Sequence, residues 1–427
     1  MPSRRWMIFL TLALAYFLVY FHRLSLSVVA DDLVRDFRTT AGAMGLLGSL
    51  YFYCYALMQL PAGLLSDSLG PRRTVTFSLL FAAAGSLLFG LAPNLPVAFL
   101  SRALVGLGVS MVFIPTMKIL SQWFLPREFA FMAGVLNGVG GIGVLAATFF
   151  LALLTGWLGW RLSFILIGLG TLGLVLGVWR IVRDRPQEAV QPKVAVAETG
   201  AGGVQIPLLT GVRRVAMEKN FWPVAVWFFF NSGIFFGFGG LWAGPYLMHV
   251  YGLTKTQTGA ILSLIAWGMI FGSPLLGLIS DRWVQSRRRV LTVSSAVLTA
   301  ELALLCLFPA SLSVAELCGI FFVFSLSSSA IVAVAFTTTK ELFPVEIAGT
   351  STGMVNLFPF LGGAVYMPLL GRVLDAFDRT AQGGFAPKAY TVLLVVLLVS
   401  SLVSLACTQL MKETHPARLQ AGAWAKN

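Results

Sequence analysis

Charged residues are scarce in this chain of 427 residues: Asp, Glu, Lys and Arg together make up 11% of it, whereas hydrophobic residues make up 57%. A water-soluble domain needs roughly 25% charged residues to cover its surface, so the composition excludes a cytosolic enzyme, a nucleic-acid-binding domain and a secreted disulfide scaffold. Asp and Glu are the rarer charges, 17 against 30 Lys and Arg. Because most of those basic residues stand in short clusters between apolar runs, we expect an integral membrane protein in the lipid bilayer, with no nucleic acid bound.

Cysteine and histidine are also few. The four cysteines lie inside or at the edge of apolar runs, with neither metal-ligand nor disulfide-like spacing, so we interpret them as small core residues. The three histidines, His22, His249 and His415, are far apart, and the sequence contains no Walker-type loop. We therefore expect no enzyme, no metal or other cofactor and no ATP-driven pump.

Long apolar runs, in contrast, are abundant. A helix that crosses the hydrocarbon core needs about 20 apolar residues, and runs of that length predict an all-α membrane protein with twelve transmembrane helices. The first run follows Arg4 and Arg5, as in a signal peptide, but it is too long and lacks an obvious cleavage site before Tyr20, so we expect it to be retained. The predicted spans are 8–30, 43–65, 74–92, 97–119, 130–154, 162–182, 221–247, 257–280, 290–309, 315–338, 349–372 and 389–411.

The basic residues predict the orientation of these spans. If the N-terminus is cytoplasmic, twenty Lys and Arg fall in the inner segments and seven in the outer ones. Inner loops of membrane proteins carry such an excess of basic residues. We therefore expect both termini in the cytoplasm and the protein in the cytoplasmic (inner) membrane of a prokaryote.

The chain contains two similar halves. Gly-Leu-Leu-Ser-Asp at 63–67 recurs as Gly-Leu-Ile-Ser-Asp at 277–281, 214 residues later. Pro-Arg-Glu-Phe-Ala at 126–130 recurs as Pro-Val-Glu-Ile-Ala at 344–348, 218 residues later. Two matches at nearly one offset indicate a duplication. The predicted domains are an N-terminal six-helix bundle over 1–182, a cytoplasmic linker over 183–220, and a C-terminal six-helix bundle with a short tail over 221–427.

A motif of glycine, aspartate and arginine lies between spans two and three, on the predicted inner side. Gly63 allows close helix approach, and the carboxylate of Asp67 can bond to a neighbouring helix terminus. Gly70 permits a tight turn, and Arg72 and Arg73 face anionic headgroups. A generic basic turn is the alternative interpretation.

With twelve spans and a 6+6 repeat, this motif resembles the signature of the major facilitator superfamily, and the resemblance covers essentially the whole chain. The second copy keeps Gly277, Asp281 and Arg282, but has Val284 where a glycine is expected. The resemblance implies two pseudo-symmetric six-helix bundles around a central cavity that opens to either side in turn. It also implies that the two motif copies act as a conformational latch.

Two arginines lie within predicted spans. Arg23 in span one and Arg102 in span four are each roughly 9 to 12 Å below the outer boundary, at 1.5 Å per residue. An ionisable side chain at that depth is costly unless it faces a wet cavity, and two guanidinium groups at one level form a fork suited to carboxylate or phosphate. The alternative makes Arg102 a tether to backbone carbonyls and leaves Arg23 near the outer interface.

Both arginines are similar to arginines of known carriers. Arg23 matches the span-one arginine of carriers of sugar phosphates and sugar acids, and Arg102 resembles the span-four arginine of the superfamily. The resemblance implies a monomeric secondary transporter that moves a small organic anion, a carboxylate, sugar acid or sugar phosphate, by proton symport or anion exchange. An exporter of apolar or cationic compounds and a membrane sensor with a transporter fold are the alternatives.

Coupling and further binding residues are less sharply marked. The proton-carrying carboxylates of similar sugar-acid symporters are absent, and His22 and Val109 stand in their places. His22 either carries a proton or orients Arg23, and Glu301 in span nine either couples transport or makes a helix contact. Other side chains that complete the substrate site, unless they only pack, are Tyr20, Asn231, Ser232, Trp242 and Tyr246.

Overall fold

A computed structural model describes residues 2–185, 208–344, 347–380 and 383–416. Most of these residues are helical, and within them the only β-structure is an isolated bridge between Arg379 and Phe385. Nine helices in the described part are long and apolar enough to cross a membrane, and shorter apolar helices accompany them. The all-α membrane fold is thus confirmed. Most of the predicted linker lies outside the described residues, so the domain boundaries stay a prediction.

The first half is built from nine helices. They are α1 (Pro2–Leu24), α2 (Ala30–Asp36), α3 (Ala41–Leu57), α4 (Gln59–Ser68), α5 (Pro71–Leu91), α6 (Leu95–Ser110), α7 (Phe113–Trp123), α8 (Pro126–Leu145) and α9 (Leu151–Ile181). A π-helical turn, Ala146–Phe150, joins α8 to α9, and Gly159, with φ of 74°, separates two passes inside α9.

The second half contains nine more helices. They are α10 (Leu208–Met217), α11 (Phe221–Ile234), α12 (Ala243–Tyr251), α13 (Lys255–Leu278), α14 (Arg287–Leu307), α15 (Val314–Ser328), α16 (Phe336–Glu341), α17 (Ala348–Asp375) and α18 (Pro387–Leu410). π-helical segments at Phe235–Trp242, Ile279–Trp283 and Ile331–Ala335 link or extend them. Joined in this way, the helices of the described chain form twelve consecutive passes, as the apolar runs predict.

Several passes are interrupted close to a proline. Pro61 lies three residues after the break at Met58, and Pro115 lies just after the break between α6 and α7. Proline lacks the amide hydrogen that a helix interior requires, so the backbone loses a bond one turn earlier. α1 ends at Leu24, before the predicted limit at residue 30, because the Ser25 and Ser27 hydroxyls bond to backbone carbonyls and favour turns.

The chain divides into two compact units. The first unit comprises Met1–Pro186, Phe236–Trp267 and Gly363–Leu393, and the second comprises Gln187–Phe235, Gly268–Gly362 and Leu394–Asn427. The first unit therefore includes parts of both sequence halves. We call the end of the first unit that carries α2 the distal end.

Each unit has its own packed interior. In the first, α1 and α8 approach so closely that a side chain at Gly143 would overlap the carbonyl oxygen of Phe17. In the second, a cluster of fully buried aromatic and aliphatic side chains surrounds Trp227. The indole nitrogen of Trp227 donates to the Ser295 hydroxyl at 2.8 Å, so this large side chain is buried with its polar atom satisfied.

Candidate functional site

Arg23 lies in the last turn of α1 and is only 7% exposed. Its guanidinium carbon stands 4.7 Å from the ring centre of Tyr20, 5.1 Å from that of Tyr55 and 5.6 Å from that of Phe236. The hydroxyls of Tyr51 and Tyr55 are its side-chain hydrogen-bond partners. We call these four aromatic residues the arginine cage. All of them belong to the first unit.

The cage holds a cation without cancelling its charge. Aromatic faces attract a guanidinium by about 0.5 to 2 kcal/mol each, and more where water is excluded. The four cage residues carry no formal negative charge, so they hold the guanidinium without neutralising it. A buried guanidinium in neutral surroundings is a strong site for a carboxylate or phosphate, because it offers several fixed donors in one plane.

Arg102, on α6, is 1% exposed and has a different environment. Its terminal nitrogen donates to the backbone carbonyl of His22 at 3.2 Å, and its guanidinium carbon is 5.4 Å from the ring centre of Tyr51. The Tyr51 hydroxyl in turn donates to the carbonyl of Val19 at 3.0 Å. This hydrogen bond links α6 to the end of α1, which is the kind of contact that the tether alternative expects. That both guanidinium groups bind one ligand stays a prediction.

His22 directly precedes Arg23 in the sequence, and its backbone carbonyl accepts from Arg102. Its side chain is fully buried, and among the described residues neither ring nitrogen has a hydrogen-bond partner. The Phe21 ring is 5.5 Å away, edge-on. A buried polar group left unsatisfied costs about 1 to 3 kcal/mol, which calls for an explanation such as a ligand or an exchanging proton.

Two predicted site residues lie in the second unit. Asn231 and Ser232, near the end of α11, are both fully buried. Both polar atoms of the Asn231 amide and the Ser232 hydroxyl lack a hydrogen-bond partner within the described chain. Like His22, these residues bury polar atoms that have no hydrogen-bond partner among the described residues.

Trp242 and Tyr246, also predicted to bind substrate, take part in the packing of the first unit. The Trp242 indole nitrogen donates to the carbonyl of Met367 at 2.9 Å. Tyr246 is fully buried, with the rings of Phe238 and Tyr390 at 5.8 and 5.5 Å. These contacts give both side chains a structural role in this state.

Glu301, the predicted coupling carboxylate, lies on α14 in the second unit and is 9% exposed. Neither carboxyl oxygen has a partner among the described residues. Arg23 belongs to the first unit, so the two candidate groups are separate features of the fold. A carboxyl group buried without a partner is most stable when protonated.

The first copy of the predicted latch is held by a residue that the motif does not include. Gly70, with φ of 85°, precedes α5, and the carboxylate of Asp184 accepts from the backbone nitrogen of Arg72 at 2.7 Å. The Arg72 guanidinium stacks on Trp179 at 4.3 Å and donates to its carbonyl. Arg73 is exposed. The surroundings of Gly63 and the side chain of Asp67 lie outside what the structure describes.

The second copy forms a network around Arg287. This guanidinium donates to Asp281, to the Ser280 hydroxyl at 3.0 Å and to Glu341 at 3.1 Å. Arg282 is exposed, and Gly277 is half-buried on the same pass. The motif identified Asp281, but Glu341 was missed because it lies 54 residues away from Arg287.

Sequence reasoning also missed a charged cluster at the distal end. Asp31 pairs with His249 at 2.8 Å between oxygen and ring nitrogen, and Asp32 pairs with Lys255. We call these four residues the distal cluster. It joins α2, from the first sequence half, to α12 and α13, from the second, within one compact unit. The signal was present, since two adjacent aspartates, a histidine and a lysine all fall in predicted outer segments.

A helix cap adds to this junction. The carboxylate of Asp375, at the end of α17, accepts from the backbone nitrogens of Ala41 and Gly42 at 2.8 and 2.6 Å. Those amides begin α3, so the carboxylate satisfies donors that a helix N-terminus leaves open. Arg379 donates to the carbonyl of Thr39 at 3.0 Å nearby. The distal end is therefore closed by specific polar contacts between the two halves of the sequence.

Comparison with known families and proteins gives one consistent result. The family model described as Major Facilitator Superfamily matches residues 12–367. A hexuronate transporter of Bacillus subtilis is 25% identical over 88% of this chain and 82% of its own length. A probable galactarate/D-glucarate transporter, GarP of Escherichia coli, is 23% identical over 87% of this chain and 88% of its own.

Two further matches extend the range of activities and add the fold. The membrane sensor protein UhpC of Salmonella typhimurium is 25% identical over 96% of this chain and 93% of its own length. A bacterial homolog of the human lysosomal transporter Spinster, solved in an inward-facing and unoccupied conformation, superimposes with a TM-score of 0.77. It is 18% identical and covers 96% of this chain and 98% of its own, so it supports the fold alone.

Proposed function

Because the chain belongs to the Major Facilitator Superfamily, we propose that it is a secondary transporter which moves a small organic anion across a prokaryotic cytoplasmic membrane. The observation that supports an anionic cargo is the environment of Arg23. Its guanidinium is buried and surrounded by neutral rings and hydroxyls. A cationic cargo would be repelled by this buried positive charge, whereas an anionic cargo would be attracted to it.

A sugar acid is the cargo that the polar groups fit best. Its carboxylate would accept from Arg23, while its hydroxyls need neutral partners such as the phenols of Tyr51 and Tyr55. The hexuronate and galactarate/D-glucarate relatives support this substrate class. A sugar phosphate is the next candidate, since guanidinium groups bind phosphate as well.

The distal cluster and the Asp375 cap have the character of a gate. We assign the distal end to the outside of the cell, in keeping with the excess of basic residues on the opposite side. Transport by alternating access then requires these contacts to break when the outer side opens. Partly buried ion pairs suit this purpose, because each contributes little free energy and can re-form.

We infer how transport is coupled from the buried titratable groups that have no hydrogen-bond partner among the described residues. His22, adjacent to Arg23, can accept a proton when an anion neutralises the arginine, which describes proton symport. Exchange of one anion for another needs no titrating group at all. Glu301 is a second proton carrier, at a distance in sequence from the arginine cage.

Counterflow in proteoliposomes tests this function. Vesicles loaded with unlabelled glucuronate or glucarate should take up the labelled compound, and Arg23→Gln should abolish that uptake. Arg180→Gln is the matched control, because Arg180 is an exposed arginine at the end of α9. Retained uptake in Arg23→Gln would contradict the proposal.

A membrane sensor is the second candidate, favoured by the match to UhpC over nearly the whole chain. A sensor binds its ligand without carrying it. Binding of glucuronate or glucarate by the purified protein, together with no counterflow in vesicles, would identify the sensor. Accelerated exchange would identify the carrier.

A further inference from the structure

A groove outside the arginine cage opens at one end of the second unit. It has a cavity volume of about 680 Å³ and lies where α13 ends, α14 begins and α18 ends. Its walls are mainly apolar and include Leu276, Ile279 and Val290. None of the functional residues discussed above for transport is needed to form it.

The mouth of the groove is basic. Arg288 and Arg289 line it, and the side chain of Arg289 is exposed. Arg288 is half-buried and donates to the side-chain oxygen of Gln409 at 3.3 Å, which leaves its other donors for a ligand. The neighbouring Arg287 is already committed to Asp281 and Glu341. Two adjacent guanidinium groups are therefore directed at one opening.

The acidic residue at the groove is turned away from a ligand. The Glu413 carboxylate accepts from the Ser286 hydroxyl and from the backbone nitrogens of Arg287, Thr414 and His415, the last three at 2.9 to 3.0 Å. Burial raises the pKa of Glu413, but these hydrogen bonds outweigh it and hold the pKa below its ordinary value. Its charge thus stabilises the start of α14, and Arg288 and Arg289, which pair with no carboxylate among the described residues, make the mouth net positive.

The face of α14 that leads away from the mouth is apolar and open. Val293, four residues after Arg289, is 62% exposed and lines the groove. Residues four apart lie on the same side of a helix, so the arginine stands directly above an uncovered apolar surface. Trp283, 70% exposed on the same junction, is a typical anchor at the membrane interface. The groove therefore combines two arginines at its mouth with an apolar wall along α14.

We propose that this groove binds one anionic glycerophospholipid, with the phosphate on Arg288 and Arg289 and an acyl chain along Val290 and Val293. Guanidinium groups match phosphate oxygens, and juxtamembrane arginines are attracted to anionic headgroups. The distribution of basic residues puts this end of α14 at the inner leaflet. The site is independent of the transported anion.

Native mass spectrometry of the purified protein with phosphatidylglycerol tests the site. Arg288→Gln/Arg289→Gln should weaken binding of the first lipid about thirtyfold, which corresponds to about 1 kcal/mol for each arginine. The double variant Arg213→Gln/Arg214→Gln, which removes an exposed basic pair on α10, should bind as the wild type does. Val293→Trp, which fills the groove while both arginines remain, should also lose the lipid.

Three results would overturn the proposal. One is unchanged affinity of Arg288→Gln/Arg289→Gln for phosphatidylglycerol. Another is equal affinity of the wild type for phosphatidylcholine, which would show that headgroup charge is not recognised. The third is equal thermal protection by inorganic phosphate, which would make the groove a phosphate site without a lipid chain.

Discussion

At the scale of single residues, the second unit and the end of α1 bury polar atoms that have no hydrogen-bond partner in the described part of the chain. His22, Asn231 and Ser232 are fully buried, and their side-chain polar atoms lack partners among the described residues. Natural proteins retain such unsatisfied groups where function requires them, at a cost in stability. That each of these groups binds a ligand stays a prediction.

The same argument predicts that Asn231→Leu stabilises the protein while it impairs transport. Leucine has a similar volume and no unsatisfied amide, so the free energy of unfolding should rise by about 1 to 3 kcal/mol. The thermal midpoint in detergent should rise by about 2 °C or more.

Ser295→Ala is the opposite control for that experiment. It removes the acceptor of the Trp227 indole, leaves a buried donor unsatisfied and should lower the midpoint. If Asn231→Leu lowered the midpoint as much as Ser295→Ala, the Asn231 amide would have to be bonded in the folded protein.

At the scale of elements, each copy of the repeated motif is followed by a turn, but a different position takes the positive φ in each copy. In the first copy the left-handed residue is Gly70, at φ of 85° and ψ of 148°. In the second copy Val284 stays right-handed at φ of −88°, and Gln285 takes φ of 50° instead. A side chain in this region costs about 1 to 3 kcal/mol. The second copy therefore carries strain that the first avoids.

Two substitutions should reveal this difference with opposite signs. Gln285→Gly should stabilise the protein by about 1 kcal/mol, because the relief of strain exceeds the entropy that glycine adds to the unfolded chain. Gly70→Ala should destabilise it by about 1 to 3 kcal/mol, since its new Cβ would also lie 2.9 Å from the Asp184 carboxylate. Thermal unfolding in detergent measures both, and equal signs would refute the account of the turns.

The helical elements could be predicted far better than the contacts between them. Apolar runs marked all twelve passes, because hydrocarbon demands length and leaves little room for polar residues. The observed helix ends differ from the predicted ones where local hydrogen bonds favour a turn, as at Ser25 and Ser27. The position of Arg23 inside a helical pass could be predicted from a charge within an apolar run. The cage around it could not be predicted, because Tyr51 and Tyr55 come from another helix.

The polar junctions escaped prediction for the same reason. Asp31 and His249 are more than 200 positions apart, and the hydrogen bond from the Trp242 indole nitrogen to the Met367 carbonyl spans 125 positions. A single sequence shows which residues share a helix, whereas these bonds depend on how helices pack. The second latch was found only in part, because Glu341 lies on a different pass from Asp281.

At the scale of the whole molecule, the proposed alternating-access mechanism predicts that the polar contacts of the distal end break during transport. Asp31→Asn/Asp32→Asn weakens the Asp31–His249 contact and removes the ion pair between Asp32 and Lys255. Each partly buried contact contributes up to about 1 kcal/mol, so the open population should rise by up to roughly thirtyfold.

Thiol labelling measures that population. A single cysteine at Leu26, which is 1% exposed near the distal end, should react faster with a maleimide in Asp31→Asn/Asp32→Asn than in the parent, in a background without the native cysteines. Arg35→Gln is the control, because Arg35 pairs only with Asp32 of its own helix and should leave the rate unchanged. Unchanged labelling in the double variant would rule out a gating role for the cluster.

The central claim is that Arg23 binds the negative charge of the cargo, and direct titration tests it without any transport step. Calorimetry with the anion that supports counterflow should show binding to the wild type and to Arg180→Gln. Affinity for Arg23→Gln should be about 10- to 100-fold weaker, the worth of a charge-assisted hydrogen bond. Equal affinity in all three proteins would contradict the account.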